Sequence, residues 1–209
     1  MTLKEVAKEI IKILKKEYPD AKTELKYSNP FELLIATILS AQAKDTTINK
    51  ITPILFKKYP TPQKLANANI KEVEEIIKPT GFYKTKAKNI IEASKILIAK
   101  FKGNVPDNIN DLIQLKGVAR KTANVVLSNA FNKNEGIVVD THVKRISYRI
   151  GLTDNTDPIK IEKDLMKIFE KKDWGFISNV LVLHGRYICN AKKPKCDICK
   201  ISQLCEKRI

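Results

Sequence analysis

The chain has 209 residues and a mass of 23.7 kDa, enough for one large domain or two small ones with a real core, which excludes a disulfide-stapled mini-protein. Hydrophobic residues make up 43% and charged residues 30%, with only 7 Gly and 9 Pro, so the composition is neither collagenous nor disordered. The 39 Lys and Arg against 23 Asp and Glu leave a net charge of +16, which points to a polyanionic partner: nucleic acid first, an anionic membrane surface second.

The opening MTLKEVAKEIIKILKK alternates charge with apolar residues instead of running as a signal peptide's continuous apolar core, and no later run approaches the roughly 20 apolar residues of a membrane span. The protein is therefore expected to be intracellular. Thr2 and Glu5 form a capping box for a first helix with Leu3, Val6, Ala7, Ile10, Ile13 and Leu14 at helical spacing, ending before Tyr18-Pro19. Asn29-Pro30 reads as N-cap and first helical position of FELLIATILSA, apolar on nearly every face and so expected to be a central buried helix, with Gln42 just past its end. Further helix starts fall at Asp45, at Thr61-Pro62, near Asn69, and after Pro79-Thr80-Gly81, where Ala87, Ile90, Ile91, Ser94, Leu97 and Ile98 share a face. Pro53, inside a helical pattern, predicts a kink or break.

From Asp107 to Leu115 a short helix ends at Lys116-Gly117, and a second runs from about Arg120 to Phe131. A helix, a glycine hairpin and a second helix expose backbone N–H groups and a helix N-terminus, both suited to one phosphate without reading a base, although an ordinary helix corner has the same outline. Lys121 falls in the first turn of that second helix, where the dipole's positive end disfavours a cation and favours a neutral, nucleophilic amine. Most lysines of so basic a chain are merely solvated. Asp140 precedes a helix carrying Val143, Ile146 and Ile150 that stops at Gly151, and Asp157-Pro158 and Trp174-Gly175 open the last two helices. His184 shares an apolar face with Phe176, Val180 and Tyr187 and reads as a core histidine. No alternating strand pattern, repeat or low-complexity linker interrupts this series, so the class is all-α.

Basic charge clusters in two segments. Arg186 to Ile209 holds seven Lys and Arg against Asp197 and Glu206, and Lys84 to Lys102 six lysines against Glu92, a bias that suits phosphate contact better than solubility alone. All four cysteines, Cys189, Cys196, Cys199 and Cys205, stand in a C-x6-C-x2-C-x5-C array near the C-terminus. That clustering argues for metal before disulfide. Four sulfurs fit tetrahedral zinc or a cubane iron-sulfur cluster, and spacing alone leans to a zinc staple.

The segments LSAQAKDTTINK around Gln42, LKGVARKTANVV with Lys121, VVDTHVKR with Asp140, and LHGRYIC followed by the four-cysteine loop together resemble the endonuclease III family of helix-hairpin-helix DNA glycosylases. The resemblance implies two helical lobes with the active site in the cleft between them: a six-helix barrel containing the hairpin over residues 22–134, and a cluster lobe built from residues 1–21 and 135–209. It also implies Lys121 as the Schiff-base nucleophile, Asp140 as the carboxylate supporting positive charge at the sugar, and the four cysteines as ligands of a 4Fe-4S cluster. The expected partner is double-stranded DNA containing damaged pyrimidines or abasic sites, with no membrane, and a monomer is expected. The implied activity is that of a bifunctional DNA glycosylase and abasic-site lyase of base excision repair. The alternatives are a glycosylase for mismatched thymine, uracil or adenine, or a non-enzymatic helix-hairpin-helix DNA-binding module.

For DNA contact the expected residues are Gln42, filling the space of an extruded nucleotide, Phe82, the hairpin residues Lys116, Gly117, Val118, Ala119 and Arg120, and Lys192, Lys193 and Lys195 between the first two cysteines. The chain departs from the family's usual L-P-G-V-G hairpin, having Leu115, Lys116, Gly117, Val118 and Ala119. Ala119 is expected to cost of order 1 kcal/mol if the hairpin needs positive φ there, and Lys116 to touch the phosphate directly. Phe82, where relatives often carry leucine, reads equally as a wedge entering the duplex and as a core residue.

Overall fold

The computed structural model describes all 209 residues, 1–209, and contains eleven α-helices, three 3-10 turns and no strand. The chain divides into two compact units, residues 24–133 and residues 1–23 with 134–209.

In the unit of residues 24–133, α2 (Pro30–Leu39) is the axis of the core. Asn29 accepts from the Glu32 N–H, Pro30 takes the first helical position, and Leu33, Leu34, Ile35, Ala36 and Leu39 are wholly buried around its circumference. Burying a side chain of that size contributes roughly 1.5–3 kcal/mol, which accounts for a helix with no polar face. Around it stand α3 (Asp45–Lys58), α4 (Pro62–Ala66), α5 (Ile70–Ile77), α6 (Tyr83–Phe101), α7 (Ile109–Leu112) and α8 (Arg120–Ala130). The long α6 packs against α2, α4 and α5, and α8 lies against α2 and α7.

Pro53 does not break its helix. α3 runs through it with Pro53 itself exposed, while Ile48, Ile51, Thr52, Leu55 and Phe56 on both sides of it are buried. Burial on both flanks outweighs the one backbone hydrogen bond a proline removes. The helix before the hairpin is also shorter than its sequence suggests, one turn over Ile109–Leu112 capped by Asn108.

The second unit builds its own core from Ala7, Ile10 and Leu14 of α1 (Leu3–Glu17), Val143, Ile146 and Ile150 of α9 (Thr141–Ile150), Ile161 and Leu165 of α10 (Pro158–Ile168), and Ile177, Val180 and Leu181 of α11 (Trp174–Tyr187). The Thr2–Glu5 capping box forms in full, α9 ends at Gly151 in the left-handed conformation, and Asp157 caps α10 ahead of Pro158. Lys15 Nζ donates to Asp173 Oδ1 at 2.7 Å, joining the two sequence segments of this unit. No helix is long and apolar enough to cross a membrane.

Candidate functional site

In the unit of residues 24–133, the chain turns from Leu112 to α8 through Leu115, Lys116, Gly117, Val118 and Ala119. Leu115 and Val118 are buried and anchor the hairpin, leaving Lys116, Gly117 and Ala119 at the surface. Gly117 has φ +78°, and a Cβ there would come within 3.1 Å of the side chains of Asn89 and Ile38. Conformation and packing therefore both require glycine at this position. Ala119 has φ −95° and ψ 171°, ordinary extended backbone. The position expected to take a second glycine needs no left-handed residue here, and the expected strain is absent.

Ala119 is the N-cap of α8 and offers no side-chain acceptor to the helix's first N–H groups. A helix start left open in this way favours an external anion. Lys121 follows in the first turn, exposed. Lys116 lines an open groove with Lys84, Thr85, Lys88, Asn89 and Glu92, so part of the basic segment of α6 and the hairpin share one surface.

Four exposed non-glycine residues of this unit have positive φ: Gln42, Phe82, Lys102 and Asn132. Gln42 (φ 55°) stands in the turn after α2, whose C-cap is Ser40. Phe82 (φ 48°) is the N-cap of α6 and is 68% exposed, which removes the core-packing reading. Strained, solvent-facing side chains on turns between rigid helices are a common mark of a ligand-contacting surface.

In the other unit, Asp140 is the N-cap of α9, and its Oδ1 accepts from the backbone N–H groups of His142 at 2.9 Å and Val143 at 2.8 Å. One carboxylate oxygen is thereby fixed, which sets the direction of the other. The four cysteines of this unit line a single cavity together with Ile146, Ile150, Ile188, Pro194 and Ile201. Donors approach the sulfurs: Arg149 Nη1 lies 3.5 Å from Cys189 Sγ, and the Lys207 N–H lies 3.4 Å from Cys205 Sγ. Burial pushes the Cys199 and Cys205 thiols above the ordinary value.

Arg149 and Arg145, absent from the sequence reading, organise the start of the cysteine loop. Arg149 donates to the carbonyls of Asn190 and Ala191, both at 2.8 Å, and Arg145 to those of Gly185 and Cys189, both at 2.9 Å. Their helical spacing beyond Asp140 is visible in the sequence; their acceptors, some 40 residues on, are not. His184 is buried as expected, with Nδ1 3.3 Å from the Tyr18 hydroxyl and Nε2 3.5 Å from Cys199 Sγ, and desolvation lowers it to about 4. Tyr187, placed on the same apolar face by spacing, is exposed.

The chain belongs to the HhH-GPD superfamily of base excision DNA repair proteins, whose model matches residues 35–171. Among curated relatives, it is 51% identical to the endonuclease III of Synechocystis sp. over 202 residues, covering 97% of this chain and 92% of the relative, and 43% identical to that of Bacillus subtilis over 191 residues, covering 91% and 87%. Among solved structures, a non-covalent endonuclease III-DNA complex superposes with a TM-score of 0.91 at 42% identity, covering 99% of this chain and 97% of that one. A trapped endonuclease III-DNA covalent intermediate matches equally well, with the same TM-score, identity and coverage.

Proposed function

We propose that Lys121 is the nucleophile and Asp140 the electrostatic partner of a DNA glycosylase and abasic-site lyase of base excision repair acting on damaged pyrimidines in duplex DNA. The activity follows from family membership. The single observation that carries the residue assignment is the start of α8, which has no side-chain cap and sits directly beside an exposed lysine.

The substrate nucleotide must leave the base stack, because its glycosidic carbon is unreachable inside the duplex. The hairpin of Lys116, Gly117, Val118, Ala119 and Arg120 holds a backbone phosphate, and Lys84 and Lys88 extend that contact along α6. Phe82 wedges into the stack, and Gln42 fills the space of the extruded base. The neutral amine of Lys121 attacks C1′ as the base departs with the glycosidic electron pair, and Asp140 stabilises the positive charge developing at the sugar. The attacking nitrogen loses one proton to the departing base, O4′ leaves C1′ with its electron pair and takes up a proton as the sugar ring opens, and the protonated imine remains. The imine acidifies the C2′ proton, whose removal expels the 3′ phosphate by β-elimination, and one amine thus serves both activities.

Cys189, Cys196, Cys199 and Cys205 would hold a 4Fe-4S cluster. The donor set fits: four sulfurs on the wall of one largely apolar cavity, with N–H groups directed at them. When bound, the cluster supplies a rigid frame for the loop and no atom to the reaction at the sugar. Lys192, Lys193 and Lys195 on that loop meet phosphates.

Borohydride reduction during incubation with duplex DNA carrying an oxidised pyrimidine tests the assignment. A covalent adduct that Lys121→Gln abolishes is expected; an adduct of undiminished yield in the variant removes Lys121 from the role.

A further inference from the structure

Lys86 lies on α6 only 5% exposed, an unusual setting for an ammonium group. Its Nζ donates to the Thr80 carbonyl at 2.8 Å, and its backbone N–H donates to the Phe82 carbonyl at 3.0 Å. Between those acceptors lie Gly81 (φ 68°) and Phe82 (φ 48°), two consecutive residues of positive φ, the second of them left-handed. A Cβ at Gly81 would meet nothing within 4 Å, so its glycine serves backbone conformation alone. Phe82 carries the steric penalty of a left-handed residue with a Cβ, and a side chain so exposed recovers little of it by packing. The turn therefore needs restraint from elsewhere. Burial also lowers the Lys86 ammonium from its ordinary value, a cost that a core methionine of the same reach would not carry.

We infer that Lys86 is a positioning residue that clasps the Thr80–Phe82 turn on both sides and fixes the direction in which Phe82 enters the base stack. This rests on the reading of Phe82 as the wedge. It assigns Lys86 no contact with DNA.

The variant Lys86→Met keeps the aliphatic stem and removes the side-chain clasp. Wild type, Lys86→Met, Phe82→Ala and the double variant would be compared by single-turnover release of an oxidised pyrimidine and by the fluorescence of 2-aminopurine opposite the lesion, which reports unstacking. Lys86→Met should lose about tenfold in release rate together with most of the unstacking signal, as expected for a misdirected group, with affinity for undamaged duplex unchanged within about twofold. The double variant should be no worse than Phe82→Ala. Wild-type unstacking in Lys86→Met, or losses that add in the double variant, overturns the clasp while leaving the wedge in place. A Phe82→Ala protein indistinguishable from wild type overturns the wedge and the clasp with it. If Lys86→Met does not fold, Gly81→Ala strains the same turn from open solvent and should show the same loss; wild-type unstacking in that variant overturns the clasp.

Discussion

Two helix starts in this molecule are built on opposite plans. α8 begins at Ala119, which gives the helix no side-chain cap, and a lysine follows in the first turn. α9 begins at Asp140, which fills the N–H groups of His142 and Val143 with one carboxylate oxygen. A helix N-terminus attracts an anion in either case. Where the chain supplies the anion, the terminus becomes a mount that aims a carboxylate; where it withholds one, the terminus remains available to a phosphate from outside. The same backbone physics thus serves a helix start with a side-chain cap and one without, and one residue at the N-cap makes the difference.

The comparison breaks most severely at the two charged groups. Lys121→Gln should reduce both base release and imine trapping to background, with duplex affinity within about threefold of wild type, measured by trapping yield and by fluorescence anisotropy. Asp140→Asn keeps a good N-cap residue and removes the charge, so the melting temperature should hold while single-turnover base release falls by about 10²- to 10³-fold. Asp140→Ala should lose about 1 kcal/mol of stability in addition. Equal rates for Asp140→Asn and wild type would reduce Asp140 to a cap.

Closing the open start sharpens the contrast. Ala119→Asp should gain about 1 kcal/mol of stability through the new cap and weaken duplex binding by about tenfold, because the added carboxylate occupies the N–H groups and repels phosphate. A stabilised variant that binds DNA as well as wild type would show that this terminus takes no phosphate. The smallest effect is expected away from both starts. Replacing Lys192, Lys193 and Lys195 with glutamine should flatten the slope of log affinity against log salt by up to about 3, since each lost duplex contact removes about 0.9, and weaken damaged and undamaged duplex alike. A variant that keeps the wild-type slope would leave the cysteine loop as a staple.

Legibility in the sequence follows the range of the interaction responsible. Thr2 with Glu5, Asn29 with Pro30, and Asp157 with Pro158 each act on a backbone group two or three residues away, and each starts its helix where spacing puts it. The cap at Asp140 is legible for the same reason, as is the buried α2, whose composition leaves it no polar face. Of the kink or break expected at Pro53 the break is absent, because its remedy is tertiary: buried neighbours on both flanks carry the helix through. Ala119 misleads in the other direction, since a motif's glycine is read as a demand for positive φ that this hairpin meets with extended backbone. For Phe82 no pattern of apolar spacing distinguishes a core ring from an exposed one, and the turn that carries it is bonded by a lysine buried beneath. The arginine bonds to the cysteine loop likewise join residues about 40 apart.

The unit holding the cysteines is assembled from both ends of the chain, and this bears on how the protein is made. The Lys15–Asp173 bond spans 158 residues, so at roughly 5–20 residues per second a ribosome needs about 8–30 s to deliver the partner after the first helix has emerged. Through that interval residues 24–133 can complete their own core, while Ala7, Ile10 and Leu14 wait for Ile161, Leu165 and Val180. The closure itself is mild, because loop entropy grows only logarithmically with length. The waiting apolar stripe is the part left uncovered through that interval, and charged Lys and Glu line the opposite face of the helix.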